Sequence, residues 1–361
     1  MRLYTLAIIG VIGLAGGLVV LDQSRHVTYT KVFSDVLPEV VWPAKLDTRA
    51  YDAALLALAD FDIADTATTS TSTPTFHFAT STNVTVAGSP WPATAPYPHG
   101  GALLPFNRII AYYGNFYSTR MGILGEFASS TVLTQLASTT AMWEQADPDT
   151  PVVPAIHYIA MVAQGDAGSD GMYRSVMPDE EIEKAYAMAQ EIDGILFLDL
   201  QIGLSSLEVE LPQYREWLSK PNVHLALDPE FAMHDGTPPG HRIGRFEAAD
   251  MNYAIEWLGD IVREEELPPK VLIIHRFTEN MVGDTDQIKP TPEVQVVMHM
   301  DGWGPKQLKR NTYYHVVETE PVQFAGLKIF YKNDLKPPST GIMTPADALE
   351  LHPEPVYIQY Q

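Results

Sequence analysis

Between Arg108 and Gln361 the chain passes through eight short apolar segments, each separated from the next by a stretch long enough for a helix or a broad loop. They are RIIAYYG (Arg108 to Gly114), VVPAIHYIA (Val152 to Ala160), GILFLDLQ (Gly194 to Gln201), VHLALDPE (Val223 to Glu230), KVLIIHRF (Lys270 to Phe277), VQVVMHMD (Val294 to Asp301), LKIFYK (Leu327 to Lys332) and PVYIQYQ (Pro355 to Gln361). Runs this rich in Val, Ile, Leu and aromatic residues suit strands buried on both faces of a parallel sheet. Eight such strands in succession predict an α/β fold, a (β/α)8 TIM barrel over residues 107–361.

Helical patterns fill most of the gaps: Gly122 to Glu144, Pro178 to Ile192, Ser206 to Ser219, Phe246 to Glu266 and Pro305 to Val317. In the fourth, Ala249, Tyr253, Ala254, Ile255, Leu258 and Ile261 mark one apolar stripe, and Pro268-Pro269 ends it. The connections after strands five and seven carry less helix signal, and no eighth helix is expected after the last strand. The apolar stretch Thr48 to Asp62 is the expected cover for that flank.

Side-chain parity sorts the strand residues. In a parallel barrel one parity faces the outer helices and is apolar, while the other fills the interior and, at the C-terminal strand ends, reaches the mouth. Leu196, Leu198 and Leu200 therefore face out and Asp199 and Gln201 in; Leu225 and Leu227 face out, so His224, Asp228 and Glu230 face in. The same rule turns His157, His275, His299 and Asp301 inward, with Tyr113 and Asn115 at the end of the first strand. On the seventh strand it selects Lys328, Phe330 and Lys332, and on the last Tyr357 and Gln359. The candidate ring is Tyr113, His157, Asp199, Gln201, Asp228, Glu230, His275, Asp301, Lys332 and Gln359. So many ionisable groups at one mouth must pair with each other or surround a ligand.

Composition narrows the chemistry. The formal net charge is -22, which repels a phosphate backbone and argues against nucleic acid as a partner. The chain has no cysteine, which removes disulfides, thiolate metal sites and a cysteine nucleophile. No G-x-S-x-G elbow and no Walker motif occurs.

At the other end, Leu3 to Leu21 carries no charge and follows Met1-Arg2. As a helix it would rise about 28 Å, close to the hydrocarbon thickness of a bilayer. Residues 1–22 are thus expected to anchor the chain in a membrane with the barrel outside the cytoplasm, or to be cleaved as a signal peptide, leaving it secreted. Residues 23–106 read as an arm and linker: Thr66 to Thr75 is Ser/Thr-rich, and Ala87 to Gly101 carries Pro90, Pro92, Pro96 and Pro98, as an extended tether would.

The sharpest local signal is Asp228-Pro229-Glu230 at the end of the fourth strand. Residues i and i+2 of a strand point the same way, so the two carboxylates are expected side by side, about 6 to 7 Å apart at their Cα atoms, where they push each other's pKa apart. The triplet resembles the fourth-strand D-x-E of muramidase-type and chitinase-type (β/α)8 glycoside hydrolases. That resemblance implies Glu230 as general acid and Asp228 as its partner beside an N-acetyl group, with Asp199 and Asp301 as further carboxylates. The longer D-x-x-D-x-D-x-E run of chitinases is missing, and Tyr113 or Asn115 stands where an Asp would end the first strand.

The expected function is therefore carboxylate acid/base cleavage of a polysaccharide or peptidoglycan-like glycan in the cell wall or outside the cell, needing neither metal nor cofactor. Tyr113, Asn115, His157, Gln201, His275, Trp303, Lys332 and Gln359 would contact substrate; Trp303, in DGWG, offers a flat ring for a sugar face. Tyr112, Phe116 and Tyr117 add aromatic surface near the same mouth. The loop Met233 to Gly244, with His234, Asp235, His241 and Arg242, is expected to cover the site. Two alternatives stay open: a metal-dependent barrel hydrolase using His157, Asp199, Asp228, His275, His299 and Asp301, and a non-catalytic cell-surface barrel that binds glycan.

Overall fold

The computed structural model of the chain describes residues 45–61 and 75–361. The apolar segments become β1 (Arg108–Gly114), β2 (Val152–Ala163), β3 (Ile195–Leu200), β4 (Val223–Leu227), β5 (Lys270–Arg276), β6 (Val294–Met300), β7 (Phe324–Ile329) and β8 (Tyr357–Tyr360). Each strand pairs in parallel with its successor, and β8 pairs in parallel with β1, closing an eight-stranded barrel. β2 runs past its expected end, shifts register between Ile159 and Met161, and there pairs antiparallel with Arg174–Val176.

Helices α2 (Ser129–Ala146), α3 (Asp179–Glu191), α4 (Ala248–Glu264), α5 (Lys306–Tyr313) and the short α6 (Pro345–Leu349) follow α1 (Thr48–Leu58) of the arm. α4 begins with a reciprocal capping box between Glu247 and Asp250. Its buried stripe runs through Met251, Ala254, Leu258 and Ile261, while Ala249 faces solvent. Between β3 and β4 the expected helix is broken into three short pieces, Leu207–Glu210, Leu211–Tyr214 and Arg215–Leu218, with Pro212 lacking the N–H a continuous helix would need.

The barrel interior divides by depth. Ile109, Ala111, Ala155, Phe197, Ala226, Val271, Ile273 and Val297 fill its N-terminal half with apolar side chains. Tyr51 and Leu55 of α1 join that same cluster, so the arm helix closes the bottom of the barrel, correcting the expectation that it would stand in for an eighth helix. The reason is that the open bottom layer exposes large apolar groups, whereas the outer face of β8 is already covered. Trp143 of α2 donates its indole N–H to Tyr360 Oη at 2.9 Å, and Tyr331 stacks on Tyr360 with ring centroids 5.2 Å apart.

The proline-rich stretch Ala87 to Gly101 is likewise packed and not an extended tether. Trp91, Ala93 and Ala95 are buried, Trp91 Nε1 donates to the carbonyl of Glu318, and Leu104 exchanges two hydrogen bonds with the side chain of Gln295. Asp52 of α1 ties the layers together by accepting from Val84 N at 3.0 Å and Tyr97 Oη at 2.7 Å. The boundary expected at residue 107 therefore separates no independent module: residues 45–61 and 75–106 pack against the barrel and form one compact unit with it. The Leu3 to Leu21 run and residues 66–74 of the Ser/Thr-rich stretch lie outside the described residues. Among the described residues no helix is long and apolar enough to cross a membrane.

Candidate active site

Above the apolar half, inward parity delivers the ionisable residues to the C-terminal mouth, where a cleft of about 540 Å³ opens. Tyr113, Gln201, Asp228, Glu230, Asp301, Lys328 and Trp303 line it, together with Phe231, Phe277 and Phe330. His157, Asp199 and His275 are fully buried one layer deeper.

Asp301 directly follows β6 and meets two cations. Lys328 Nζ stands 3.0 Å from its Oδ1, and His275 Nδ1 is 2.8 Å from its Oδ2. Burial opposes ionisation of Asp301, but Lys328 and then His275 outweigh it and hold the carboxyl below the usual range. Lys328 Nζ also sits 3.9 Å from the centre of the Tyr113 ring. His275 reaches the other way too, with Nε2 3.3 Å from Asp199 Oδ2. Burial alone would keep His275 neutral; the carboxylates of Asp199 and Asp301 overcome it and raise the pKa to about 10. His157 Nε2 approaches the same Asp199 oxygen at 3.2 Å, yet burial dominates there and lowers its pKa to about 4. Its Nδ1 is 2.6 Å from Tyr357 Oη and 3.1 Å from Gln359 Nε2.

Asp228 and Glu230 meet differently from the expected strand geometry. β4 ends at Leu227, since Pro229 brings no N–H to extend a ladder, and Pro229–Phe231 forms a 3-10 turn capped by Asp228. Asp228 Oδ1 accepts from Glu230 N at 3.2 Å and Oδ2 from Gln201 Nε2 at 3.1 Å. Despite these donors, burial, aided by Asp199, Glu230 and Asp301, pushes Asp228 up to about 8. Glu230 is raised as well, first by burial and then by Asp301. Two carboxyls biased towards the protonated form thus face one held ionised.

Several expected contacts fall elsewhere. Asn115 does not line the cleft: Gly114, at φ 152°, turns the chain out of strand parity, and Asn115 Nδ2 donates to Ile159 O while its Oδ1 accepts from Tyr117 N. Lys332 points away and pairs with Glu126, its side chain 71% exposed. β7 has ended three residues earlier, where the Asp334 carboxylate draws the Phe330 N–H into a turn, so the lysine of the mouth is Lys328. Gln359 is buried below the cleft and touches Tyr357 and His157 instead of lining the opening. Tyr112 packs outward on Thr139, and Phe116 stacks on Tyr158. The loop Met233 to Gly244 does not cover the opening; Asp235 pairs with Arg242 within the loop, and none of its residues lines the cleft.

Arg120, Met121 and Gln164 also line the wall and lacked any sequence signal, because they come from loops that have no periodicity to read. Lys328 did carry one, its inward parity. Gly326, two residues before it, is needed for another reason: a Cβ there would meet His299 Nδ1 at 2.7 Å. The missing side chain leaves room for the buried His299 ring, whose centroid lies 5.1 Å from that of His275. Lys309 fixes the rim, donating to the carbonyls of Gly302 at 2.7 Å and Lys328 at 2.6 Å. No protein-family model and no curated protein matches the sequence.

Proposed function

We propose that the cleft hydrolyses glycosidic bonds in a cell-wall or extracellular glycan, with Glu230 as general acid. The observation that carries this reading is the opposition of carboxyl states across one opening: Glu230 and Asp228 biased towards the protonated form, Asp301 held as the anion by Lys328. Glycosidic cleavage uses that pair of states, a proton for the leaving oxygen and a negative charge against the oxocarbenium-like transition state. Glu230 is the better donor to a substrate because it is the more exposed of the two carboxyls lining the cleft, whereas Asp228 is buried in the wall and bonded to Gln201 and to the Glu230 N–H. The charge-partner role first expected of Asp228 passes to Asp301, and Asp228 acts by keeping a neutral carboxyl behind the acid. Phe231, Phe277, Phe330 and Trp303 supply apolar surface of the kind that stacks on sugar rings.

The extracytoplasmic setting rests on the uncharged run Leu3 to Leu21, read as a membrane anchor or a cleaved signal. The test is turnover of chitooligosaccharides and muropeptide-derived fragments by wild type and by Glu230→Gln. Cleavage by wild type and its loss in the variant support the assignment. A variant that cleaves like wild type overturns it, and glycan binding without cleavage by wild type replaces it with a binding module.

A further inference from the structure

Beneath the cleft floor, three side chains from three strands aim their donor atoms at one point. His157 Nε2 and His275 Nε2 lie 3.2 Å and 3.3 Å from Asp199 Oδ2, and one ligand atom from each residue falls within 4.8 Å of the others. All three residues are fully buried. At such distances a ring N–H directed at a carboxylate would make a straight hydrogen bond. Instead His157 Nε2, His275 Nε2 and both Asp199 oxygens have no hydrogen-bond partner in line with them. Convergence at contact distance with the bonds pointing elsewhere is what ligands around a shared centre look like.

We propose that His157, Asp199 and His275 bind one divalent transition-metal ion, zinc fitting best. With metal–ligand bonds of about 2.0 to 2.1 Å, the edges of a tetrahedron are about 3.3 Å, which matches the two measured separations. Two imidazoles and one carboxylate suit zinc or a neighbouring first-row ion and not calcium or magnesium, which prefer oxygen. The outer nitrogens are also held as metal-bound histidines require. His275 Nδ1 meets Asp301 Oδ2 at 2.8 Å, and His157 Nδ1 meets Tyr357 Oη at 2.6 Å. One more orphan fits the same arrangement. Gln359 Oε1 is buried without a partner while its Nε2 lies 3.0 Å from Tyr357 Oη. Once His157 Nε2 ligates, Nδ1–H donates to Tyr357 Oη, and a turned Gln359 amide lets the tyrosine donate onward to Oε1. Tyr113, whose ring lies 5.1 Å from that of His157, or a water fills the fourth position.

The site is separate from the acid at Glu230, and the test keeps the two apart. The full-length chain, stripped with chelator and dialysed, is titrated with Zn2+ and with Co2+, followed by elemental analysis and the visible Co2+ spectrum. The expected result is one equivalent per chain with the intense bands of four-coordinate Co2+. Stoichiometric binding should be lost in His157→Gln and Asp199→Asn, and Asp301→Asn should weaken affinity about 10- to 100-fold. Glu230→Gln should bind metal like wild type whatever it does to turnover. Should His157→Gln fail to fold, the wild-type stoichiometry and spectrum decide. Substoichiometric uptake by wild type, a six-coordinate Co2+ spectrum, or equal uptake by folded His157→Gln overturns the proposal.

Discussion

The two halves of the barrel interior are built from the same strands at the same parity, yet they follow opposite rules. Below, Ile109, Ala111, Ala226, Val271, Ile273 and Val297 bury apolar surface under the plug of Tyr51 and Leu55. Above, His157, Asp199, Asp228, His275, His299 and Asp301 crowd ionisable groups into a space where none is exposed beyond a rim. Burial of apolar area stabilises the lower half, whereas the upper half must spend hydrogen bonds and ion pairs merely to offset desolvation. The apolar packing at one end of the barrel thus offsets the cost of the buried ionisable groups at the other.

The largest expected effect lies in the upper half. Glu230→Gln keeps the shape but removes the proton, so turnover on a cleaved glycan should fall about 10²- to 10⁴-fold, with the denaturation midpoint nearly unchanged. A loss of stability as large as the loss of rate would mean that the carboxyl serves packing.

Next comes the plug. Leu55 is buried against the lower cluster, so Leu55→Ala should cost about 2 to 5 kcal/mol in urea unfolding while turnover per folded molecule stays close to wild type. A cost under about 0.5 kcal/mol, the range of ordinary surface substitutions, would show that α1 does not close the barrel in solution.

The contrast also explains what the sequence made legible. Strand parity could be read because outward positions such as Leu196, Leu198, Leu225 and Leu227 are uniformly aliphatic, so polar residues between them had to face in. The reading failed where a strand ended. Pro229, Gly114 and the turn at Asp334 each stop a ladder, and parity past those points misplaced Asn115 and Lys332. β7 was read three residues late because Phe324-Ala325-Gly326 has no branched aliphatic residue, although Gly326 is there to spare the His299 ring. The arm departs from its expected form for a compositional reason. Prolines that suggest a tether also suit a coil packed over the bottom of the barrel, and only the burial of Trp91 and Leu104 separates the two.

A third effect tests the electrostatic side of the comparison through pH. Asp228 has a folded pKa of about 8 against an ordinary value of 3.8, so the folded state holds its proton more tightly than the unfolded chain. Below about pH 4 the group is protonated in both states and contributes no penalty. Between pH 4 and 8 the unfolded chain releases a proton that the folded state keeps, which favours unfolding increasingly as pH rises. Above about pH 8 both are ionised and the penalty is complete. Asp228→Asn removes this dependence, so its stability advantage over wild type should grow from pH 5 to pH 8 in thermal melts. An advantage that stays constant, or shrinks, would show that the two donors to Asp228 hold it ionised in the folded protein.

The smallest effect belongs to the rim, where neither rule applies. Trp303 is 52% exposed, lines the cleft, and has Lys336 Nζ 4.9 Å from its ring centre, so removing it opens no cavity and strands no buried charge. Its cation contact is solvent-exposed and contributes on the order of 0.5 to 1 kcal/mol. Trp303→Ala should therefore leave the unfolding free energy within about 1 kcal/mol of wild type. If the ring stacks on a sugar equally in the ground and transition states, KM rises a few-fold while kcat holds, because uniform binding is lost. A drop in kcat at constant KM would instead place the ring against the reacting sugar. An unchanged kcat and KM would leave Trp303 as a support for Lys336 and confine recognition to the aromatic wall of Phe231, Phe277 and Phe330.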